Sequence, residues 1–376
     1  MAIEIIPVRN SKQLKHFLKF EWQINKDVKN WISPLYMERK KLLDTKRNPF
    51  FEHAEIEFFL AYKDEKLCGR IAAITNQNYN DFQGNKAGMW GFFECINDQE
   101  AANALFKAAA DWLKSKGKDE MIGPMNPSTN DECGMLIDGF DTPPFLMMTH
   151  TLPYYPKLTE GFGNKKAKDL YAWLLTTETA IKSIPEKMVR VSEKILDKYN
   201  IQIRNIRIKD IKNEIKLIKE VYNDAWSRNW GFVPFTDVEI DILAADLKTI
   251  ADERMIFIAE KAGKPVGFCV SLPNLNEIMV KIPNGRLLPT GIFKLLFGLK
   301  KIKQVRVIIL GVIKEIQSLG LSSVFFINTI LNAKKYGYTG GELSWILEDN
   351  HAMNKVIEIV GSNIYKTYRI YTYPLN

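Results

Sequence analysis

The feature that most constrains this chain is an internal duplication, because a repeated unit decides how every later motif is interpreted. Phe58–Gly69 reads FFLAYKDEKLCG and Ile256–Gly267 reads IFIAEKAGKPVG, an ungapped match in which Ala, Lys, Lys and Gly coincide. Each segment has an apolar strand, a short polar turn and a second apolar strand, which predicts a β-hairpin. The same unit is therefore expected twice.

Two further pairs of segments repeat in the same order. LKSKGKDEMIGPMNPSTN at 113–130 aligns with AKKYGYTGGELSWILEDN at 333–350, and KAKDLY at 166–171 aligns with KTYRIY at 366–371. Each half then contains helices, a hairpin, a strand, a helix, a strand, a helix and a closing strand. This order predicts an α/β (α+β) fold with a mixed sheet in each half.

The duplication also predicts the domain boundaries. A chain of 376 residues exceeds the usual size of a single core. We expect an N-terminal domain at 1–175, a polar, lysine-rich connecting helix at 176–200 and a C-terminal domain at 201–376. The segment 283–303 has no counterpart in the N-terminal half, so it is interpreted as an insertion.

Composition excludes several classes of protein. The net charge is +8, but the lysines are spread along the chain, so no nucleic-acid partner is expected. No stretch reaches the roughly 18 apolar residues that span a bilayer. The cysteines lack the paired spacing of a metal or redox site, so buried free thiols and no metal are expected. The first residues have no secretory pattern, which predicts a cytoplasmic location.

The C-terminal half contains a candidate phosphate-binding turn. VRVIILGV at 305–312 is a β-branched run of strand length, and the segment after it has helical apolar spacing. The strand therefore leads into a helix through QSLGLSS at 317–323. Backbone N–H groups and the helix dipole favour an anion at such a turn, and Gly320 would let phosphate oxygens approach the backbone closely.

The stretch LGVIKEIQSLGLSSVFF at 310–326 resembles the acyl-CoA motif of the GNAT superfamily, the Gcn5-related N-acetyltransferases. That motif has Gln or Arg, two residues, Gly, one residue, then Gly or Ala. Gln317 and Gly320 match it, and Ser322 is a small residue at the last position. Asn350 matches an asparagine that commonly contacts the cofactor in this superfamily.

The resemblance implies two tandem GNAT folds, each with a mixed, mostly antiparallel sheet flanked by helices. It also implies acyl-CoA as co-substrate and an amine as acceptor. The residues that it assigns to the cofactor are Leu310, Gly311, Val312, Gln317, Ser318, Leu319, Gly320, Leu321, Ser322 and Asn350.

The corresponding turn of the N-terminal half differs. FFECINDQEAANALF at 92–106 contains no glycine and brings Asp98 and Glu100 to the place where a pyrophosphate would sit. Negative side chains would repel a phosphate there. We therefore expect a degenerate copy whose long loop at 123–145 forms either a wall of the substrate site or a structural connection.

Direct acyl transfer, which the resemblance implies, requires a base, an oxyanion donor and release of a thiolate. The resemblance places the thioester carbonyl at Gly311 and Val312, whose N–H would stabilise the oxyanion. Candidate bases are Glu342 and Glu348, each of which is equally consistent with a solvated or salt-bridged surface carboxylate. Asp131 and Glu132, from the other half, are rival bases.

The superfamily often has a tyrosine as the acid, and here Ile357 stands at the matching position. Tyr336 or Tyr365 would have to supply the acid, or no residue does.

The acceptor site is expected near YNDAWSRNWGFVPFT at 222–236, because that region lines it in the GNAT fold. Trp226 and Trp230 fit either an acceptor site or a core. The residues predicted to bind the acceptor are Asn223, Trp226, Trp230, Asn130, Asp131 and Glu132.

The segment 286–303, RLLPTGIFKLLFGLKKIK, is apolar and ends in a basic run. It fits a peripheral contact with the inner membrane face, the wall of an acyl-chain channel, or a core helix with a solvated end, and the core helix is favoured slightly.

Several motifs along the whole chain also resemble the bacterial YghO-like group, some of whose members are associated with N-acylation of sphingoid bases. These motifs are NPFFEHAE, GPMNPSTNDECG, DTPP and YYP. The predicted function is therefore an acyl-CoA-dependent N-acyltransferase, with a long-chain amine as the more specific acceptor. The alternatives are a non-catalytic acyl-CoA sensor and an aminoacyl-tRNA-dependent transferase.

Overall fold

The structure is a computed structural model that describes residues 2–227 and 229–375. Its strands are β1 (Ile3–Pro7), β2 (Ala54–Lys63), β3 (Lys66–Asn76), β4 (Ala87–Cys95), β5 (Glu120–Gly123), β6 (Met125–Asn126), β7 (Glu132–Cys133), β8 (Met135–Asp138), β9 (Lys165–Thr176), β10 (Ile201–Asn205), β11 (Ile256–Lys261), β12 (Lys264–Pro273), β13 (Gln304–Val312), β14 (Gly340–Leu347) and β15 (Asn363–Pro374). Its helices are α1 (Ser11–Ile24), α2 (Tyr36–Leu42), α3 (Gln77–Gln83), α4 (Gln99–Ser115), α5 (Tyr155–Gly161), α6 (Thr177–Ser183), α7 (Glu186–Tyr199), α8 (Ile211–Trp226), α9 (Asp237–Ile250), α10 (Asn276–Met279), α11 (Gly291–Gly298), α12 (Leu321–Tyr336) and α13 (His351–Ile359).

The chain divides into two compact units. Unit 1 comprises 1–170, 278–296 and 366–376, and unit 2 comprises 171–277 and 297–365. The strands β9 and β15 therefore each contribute residues to both units.

Unit 1 contains the strand order β1, β2, β3, β4, β5 and β15. The pairing of β4 with β5 is parallel, whereas β1 with β2, β2 with β3, β3 with β4 and β5 with β15 are antiparallel. Phe58 on β2 contacts Phe17 of α1, and its neighbour Phe59 packs with α4 residues such as Ala102. Because successive strand residues point to opposite faces, α1 and α4 cover the two faces of this sheet.

Unit 2 repeats this arrangement with β10, β11, β12, β13 and β14, and β13 with β14 is its parallel pair. The residues of β9 that belong to this unit lie beside β14. Phe257 and Cys269 pack with Phe325 of α12, forming the core beneath that helix. Mixed, mostly antiparallel sheets flanked by helices are thus confirmed.

The predicted hairpins are confirmed in detail. Ala61 pairs with Gly69 in the first and Ala259 with Gly267 in the second, and in both the register shifts immediately after the alanine. The short opening strands β1 and β10 were not predicted, because each is a brief strand that only its pairing with the hairpin identifies.

Three segments differ from expectation. The single connecting helix predicted at 176–200 is wrong, since α6 ends at Ser183 and α7 begins after Pro185, whose ring disfavours the helical conformation of the residue before it. The loop 123–145 contains the short strands β6, β7 and β8. The core helix favoured within 286–303 is also wrong, because Phe293, Leu296 and Phe297 of α11 are exposed.

The four cysteines are buried free thiols, as predicted. Among residues 2–227 and 229–375, no helix combines the length and apolar character needed to cross a membrane.

Candidate active site

The candidate site is a wedge between two strands of unit 2. β13 pairs with β14 over 304–307 and 340–343, and β13 then continues to Val312 with no further β14 partner in the described register. The wedge opens where this pairing ends, because only those residues hold the strands at ladder spacing. A cleft with about 810 Å³ of empty space, open to solvent, lies in the wedge.

Residues from several elements of unit 2 line this cleft. The described lining is Ala225, Trp226, Asn229, 307–312, Gln317, Ser322, Phe326, 343–347, Asn350 and Met353. Parallel strands that separate at one end expose their backbone and apolar side chains to the gap. A narrow, elongated ligand with hydrogen-bonding groups would suit such a gap.

A β-bulge shapes the β13 wall. Val270 pairs with Ile309 and Ser271 pairs with Val307, so Ile308 has no opposite residue on β12. A bulge of this kind bends the strand and re-aims its backbone. It lies within the part of β13 that borders the cleft, where strands commonly carry functional distortions.

The start of α12 is the second wall. A 3-10 turn at Lys314–Leu319 follows β13, and Gly320 then takes φ +88 before the helix begins at Leu321. Within the described residues no side chain caps this helix, and in its first turn the N–H of Ser323 donates to the backbone carbonyl of Gly320 at 3.0 Å. Uncapped N–H groups and the helix dipole together make an anion site.

The cofactor residues predicted from the sequence divide into two sets. Leu310, Gly311, Val312, Gln317, Ser322 and Asn350 line the cleft. Ser318, Leu319, Gly320 and Leu321 belong to the adjoining turn, outside the described lining, and the side chain of Leu321 is buried in the core beneath α12. Asn350 also caps α13, since its Oδ1 accepts a hydrogen bond from the N–H of Met353 at 3.2 Å.

Glu342 lies in a buried cluster beside the cleft. Its carboxylate accepts hydrogen bonds from the hydroxyls of Ser344 and Tyr365, and the Nε of Arg306 lies 3.5 Å from Oε1. Arg306 also donates to Oγ of Ser344 at 2.8 Å. Glu342 is fully buried and is absent from the cleft lining, whereas Ser344 belongs to it.

The cluster contains residues that the sequence analysis did not single out. Arg306 interrupts an otherwise apolar strand, and it pairs directly across from Glu342. Charged residues are almost never fully buried unless paired, so a lone arginine in VRVIILGV and a lone glutamate in GELSWIL were a usable signal. Ser344 then follows from strand alternation.

The remaining predicted base and acid residues lie elsewhere. Glu348 follows β14 and is half-buried, outside the described lining. Ile357 is fully buried in an apolar cluster with Phe326 and Leu343. Tyr336, at the end of α12, contacts the guanidinium of Arg254, so it is remote from the start of that helix.

The predicted acceptor residues of unit 2 are separated. Trp226 lines the cleft and donates from Nε1 to the carbonyl oxygen of Leu310 at 3.3 Å. Asn223 and Trp230 are half-buried and outside the described lining, and Arg228 of the same stretch lies outside the described residues. Asn229, which was not among the predicted acceptor residues, does line the cleft.

The predicted acceptor residues of unit 1 make contacts within that unit. Asp131 accepts a hydrogen bond from the hydroxyl of Ser128 at 2.7 Å. Glu132 forms an ion pair with Arg39 at 2.6 Å. Asn130 donates its backbone N–H to the Ser128 hydroxyl at 3.1 Å. These three residues are consecutive in the chain, and they contact Ser128 or Arg39.

The matching region of unit 1 has a different local structure. Asp98 caps α4 by accepting hydrogen bonds from the N–H groups of Glu100 and Ala101, at 2.9 and 3.2 Å. Lys63 donates to the same carboxylate, and this hydrogen bond is the main cause of the lowered pKa of Asp98. The N–H groups that a phosphate would need are thus already satisfied by the chain itself.

The strand wedge of unit 1 is filled as well. β4 pairs with β5 over 87–89 and 120–122, a short parallel pairing like that of β13 with β14 in unit 2. Asn126 on β6 then accepts a hydrogen bond at Oδ1 from the N–H of Phe92, at 2.6 Å. A Cβ atom on Gly91 would overlap the carbonyl oxygen of Met125, so backbone lies directly against β4 here.

A second, smaller pocket of unit 2 adjoins the cleft. It has about 470 Å³ of empty space open to solvent and a mostly apolar surface. Val307, Phe326 and Leu343 line both pockets. An alkyl group would be the ligand best suited to this second pocket, because apolar surface binds apolar groups.

Comparison with known proteins supports a homologous relationship. A bacterial ceramide synthase of Caulobacter vibrioides (strain NA1000 / CB15N) is 38% identical over 376 residues, covering 98% of this chain and 97% of that protein. Protein YghO of Escherichia coli (strain K12) is 36% identical over 371 residues, covering 96% and 93%. No family model matches the chain.

Solved structures of similar fold are far more distant in sequence. A tandem GNAT protein from the clavulanic acid biosynthesis pathway has a TM-score of 0.58 at 10% identity, covering 100% of this chain and 99% of that one. A GCN5-related N-acetyltransferase from Sphaerobacter thermophilus has a TM-score of 0.51 at 10% identity, covering 99% and 96%. The predicted tandem GNAT fold is confirmed.

Proposed function

Because the chain belongs to the family that includes the Caulobacter ceramide synthase and Protein YghO, we propose that this GNAT-type N-acyltransferase transfers an acyl group from a coenzyme A thioester to a primary amine. The observation that carries the proposal is the uncapped start of α12 beside the open β13–β14 wedge. An anion site next to a narrow cleft suits a cofactor that joins a pyrophosphate to a long, thin arm.

In this proposal, the pyrophosphate binds the backbone N–H groups of the turn 317–322. The pantetheine arm then follows 308–312 of β13 through the wedge, and Asn350 contacts it from the start of α13. Gly320 matters because its φ of +88 is rarely adopted by residues with a side chain. We assign to the bulge at Ile308 the bend that would bring the β13 backbone to the thioester.

The proposed reaction is a direct attack. The neutral amine nitrogen bonds to the thioester carbonyl carbon, and the carbonyl oxygen becomes an oxyanion that the N–H of Val312 stabilises. The oxyanion then re-forms the carbonyl as the carbon–sulfur bond breaks, the electron pair leaves with sulfur, and the proton that the nitrogen loses passes to the thiolate. Products are an amide and the coenzyme A thiol.

The amine must be deprotonated before it attacks, since an alkyl ammonium has a pKa of about 10.4. We assign this proton to a relay through Ser344, whose oxygen accepts it while its own proton passes to Glu342. The hydrogen bond between these side chains supports this route, because Ser344 belongs to the cleft wall and Glu342 does not. Arg306 and Tyr365 hold the carboxylate in position.

The acceptor we propose is a long-chain amine of the sphingoid type. The name of the Caulobacter relative, a ceramide synthase, points to that class. The second pocket supports it independently, since its surface is mostly apolar and could hold an alkyl chain. We also propose a cytoplasmic location, consistent with four buried free thiols.

A thiol-release assay tests the function. Acetyl-CoA and palmitoyl-CoA are each supplied with sphinganine, a short alkylamine or no amine, and released thiol is measured. Release that depends on the amine supports a transferase, and preference for sphinganine supports the long-chain acceptor. Acyl-CoA binding without release under any condition would instead support the sensor, and transfer only from aminoacyl-tRNA would support the third alternative.

Four variants test the proton route. Ser344→Ala should lower kcat by about 100-fold with little change in KM, because removal of a general base typically costs 10² to 10⁴ in rate. The conservative variant Ser344→Thr should recover part of that rate. If Glu348→Gln or Asp131→Asn abolishes turnover while Ser344→Ala does not, the base is one of those carboxylates and the relay is wrong.

A further inference from the structure

Helix α11 presents a large apolar surface to solvent. Phe293, Leu296 and Phe297 have 59%, 58% and 72% of their surface exposed. Their spacing of three and four residues places them on one face of the helix. Leu288, in the segment that leads into α11, is 75% exposed. We call these four side chains the α11 patch.

This arrangement is the reverse of an ordinary surface helix. A helix of a globular protein normally turns its apolar stripe toward the core and its polar stripe toward water. In α11 the apolar stripe points outward, and Gly291 is the buried residue of the helix. Clustered exposed apolar side chains of this kind mark a surface that contacts another partner.

The segment that carries the patch has charge of one sign. From Ile278 to Lys314 the sequence contains no Asp or Glu. The basic residues between 278 and 303 are all exposed, and they are Lys281, Arg286, Lys294, Lys300, Lys301 and Lys303. Lysine and arginine side chains have long apolar stems, which can lie beside an apolar contact while the charge reaches outward.

We propose that the α11 patch docks on an anionic phospholipid surface. Exposed aromatic and leucine side chains would enter the boundary between headgroups and acyl chains, and the surrounding cations would bind lipid phosphates. A protein partner with an apolar face would explain the apolar side chains of the patch but not the basic residues of the same segment. The continuous absence of acidic residues favours a surface made of phosphates. This inference stands without the proposed acyltransferase reaction.

Vesicle co-sedimentation of the full-length protein tests the proposal. One set of vesicles is phosphatidylcholine alone, and the other is equal parts phosphatidylcholine and phosphatidylglycerol. The wild type should bind the anionic vesicles at least about tenfold more strongly, and added salt should weaken that binding because charge contributes. The triple variant Phe293→Ser, Leu296→Ser and Phe297→Ser should lose binding by a similar factor.

The matched control replaces exposed apolar residues outside the patch, Val238→Ser, Leu331→Ser and Ile359→Ser, and should bind like the wild type. Circular dichroism checks that both variants keep their helices. Failure of the wild type to bind anionic vesicles would overturn the proposal, as would equal loss in the control. A wild type that dimerises in solution, with a monomeric patch variant, would show a contact between two copies and would also overturn it.

Discussion

The β4–β5 wedge of unit 1 and the β13–β14 wedge of unit 2 begin alike and end differently. Each pair is parallel for a few residues and then separates. In unit 1 the gap receives Met125 and Asn126, which contact the β4 backbone directly. In unit 2 the gap is a solvent-accessible cleft. One scaffold therefore gives a filled or an open site according to the segment that follows its fifth strand.

The helices α4 and α12, which follow β4 and β13, also differ in whether their starts are occupied. α4 begins with Asp98, whose carboxylate accepts two of its N–H groups, whereas α12 begins with Gly320 and has no side-chain cap. A carboxylate cap stabilises a helix but excludes a second anion, because both need the same donors. The carboxylate cap therefore occupies the donors at the start of α4, and the proposed anion site lies at the start of α12.

The largest effect is expected on the free energy of unfolding, for a substitution at Glu342, where the β13–β14 wedge begins. Glu342→Ala should lower the free energy of unfolding by about 3 to 5 kcal/mol, because it leaves Arg306 buried without its carboxylate. Chemical denaturation measures this loss. Glu342→Gln, which retains an oxygen for Ser344 or Tyr365, should cost less. A loss below about 1 kcal/mol in the alanine variant would mean that the cluster is not closed as described.

The next effect concerns the start of α12. Gly320→Asp introduces the carboxylate that α4 has, and Gly320→Asn introduces an uncharged side chain of the same shape. Each added Cβ would lie 3.6 Å from Ile195, which is an ordinary contact. Both variants bear backbone strain because φ at this position is +88. We expect Asp to weaken acyl-CoA binding by about 10- to 100-fold more than Asn, in line with like-charge repulsion at a helix start.

Calorimetry with acetyl-CoA and palmitoyl-CoA measures this difference between the two substitutions. Equal affinities of the Asp and Asn variants would contradict an anion site at α12, because only charge distinguishes the two side chains.

A smaller effect is expected at the start of α4. Asp98→Ala removes the cap and should lower the free energy of unfolding by about 1 kcal/mol, while acyl-CoA binding stays unchanged. Asp98→Asn preserves a capping oxygen and serves as the control. A second acyl-CoA bound per chain in Asp98→Ala would show that the aspartate alone closes unit 1. We instead expect Asn126 to keep the wedge filled in this variant.

A further effect is a pH dependence at Glu94. Glu94 pairs with Arg70 on β3 as Gly311 pairs with Phe268 on β12, so the two residues hold equivalent positions in β4 and β13. Burial raises the pKa of Glu94 to about 7, and Tyr155 donates a hydrogen bond to its carboxylate at 2.6 Å. The folded state therefore holds a proton that the unfolded state releases near its ordinary pKa of 4.5.

The sign follows from this difference. Because the folded state binds more protons between about pH 4.5 and 7, the contribution of Glu94 to the free energy of unfolding falls as pH rises through that window. Glu94→Gln should flatten this part of the stability profile measured by denaturation. A wild-type profile that Glu94→Gln leaves unchanged would contradict a raised pKa.

The sequence predicted the elements that repeat or that carry a local signal. The hairpins were readable because strand, turn and strand are contiguous, and the turn at Gly320 was readable because a glycine and a helix start are adjacent. Burial of the cysteines followed from their apolar neighbours. These properties depend on short-range sequence, which a single chain displays directly.

Other features depend on contacts that are distant in sequence. The filling of the β4 wedge by Asn126 requires a contact across 34 residues, and no local pattern at Phe92 indicates it. The role proposed for Ser344 depends on the pairing of Arg306 with Glu342 on adjacent strands. The outward face of α11 was misjudged because helical spacing gives the apolar stripe but not the side on which the core lies.

We propose that unit 2 holds an acyl-CoA site and that unit 1 does not. Isothermal titration of the full-length wild type with palmitoyl-CoA below its micelle concentration tests this contrast most directly, through the number of molecules bound per chain. We expect one molecule per chain. A value of two would contradict the contrast between the wedges, and no binding of either palmitoyl-CoA or acetyl-CoA would contradict the site itself.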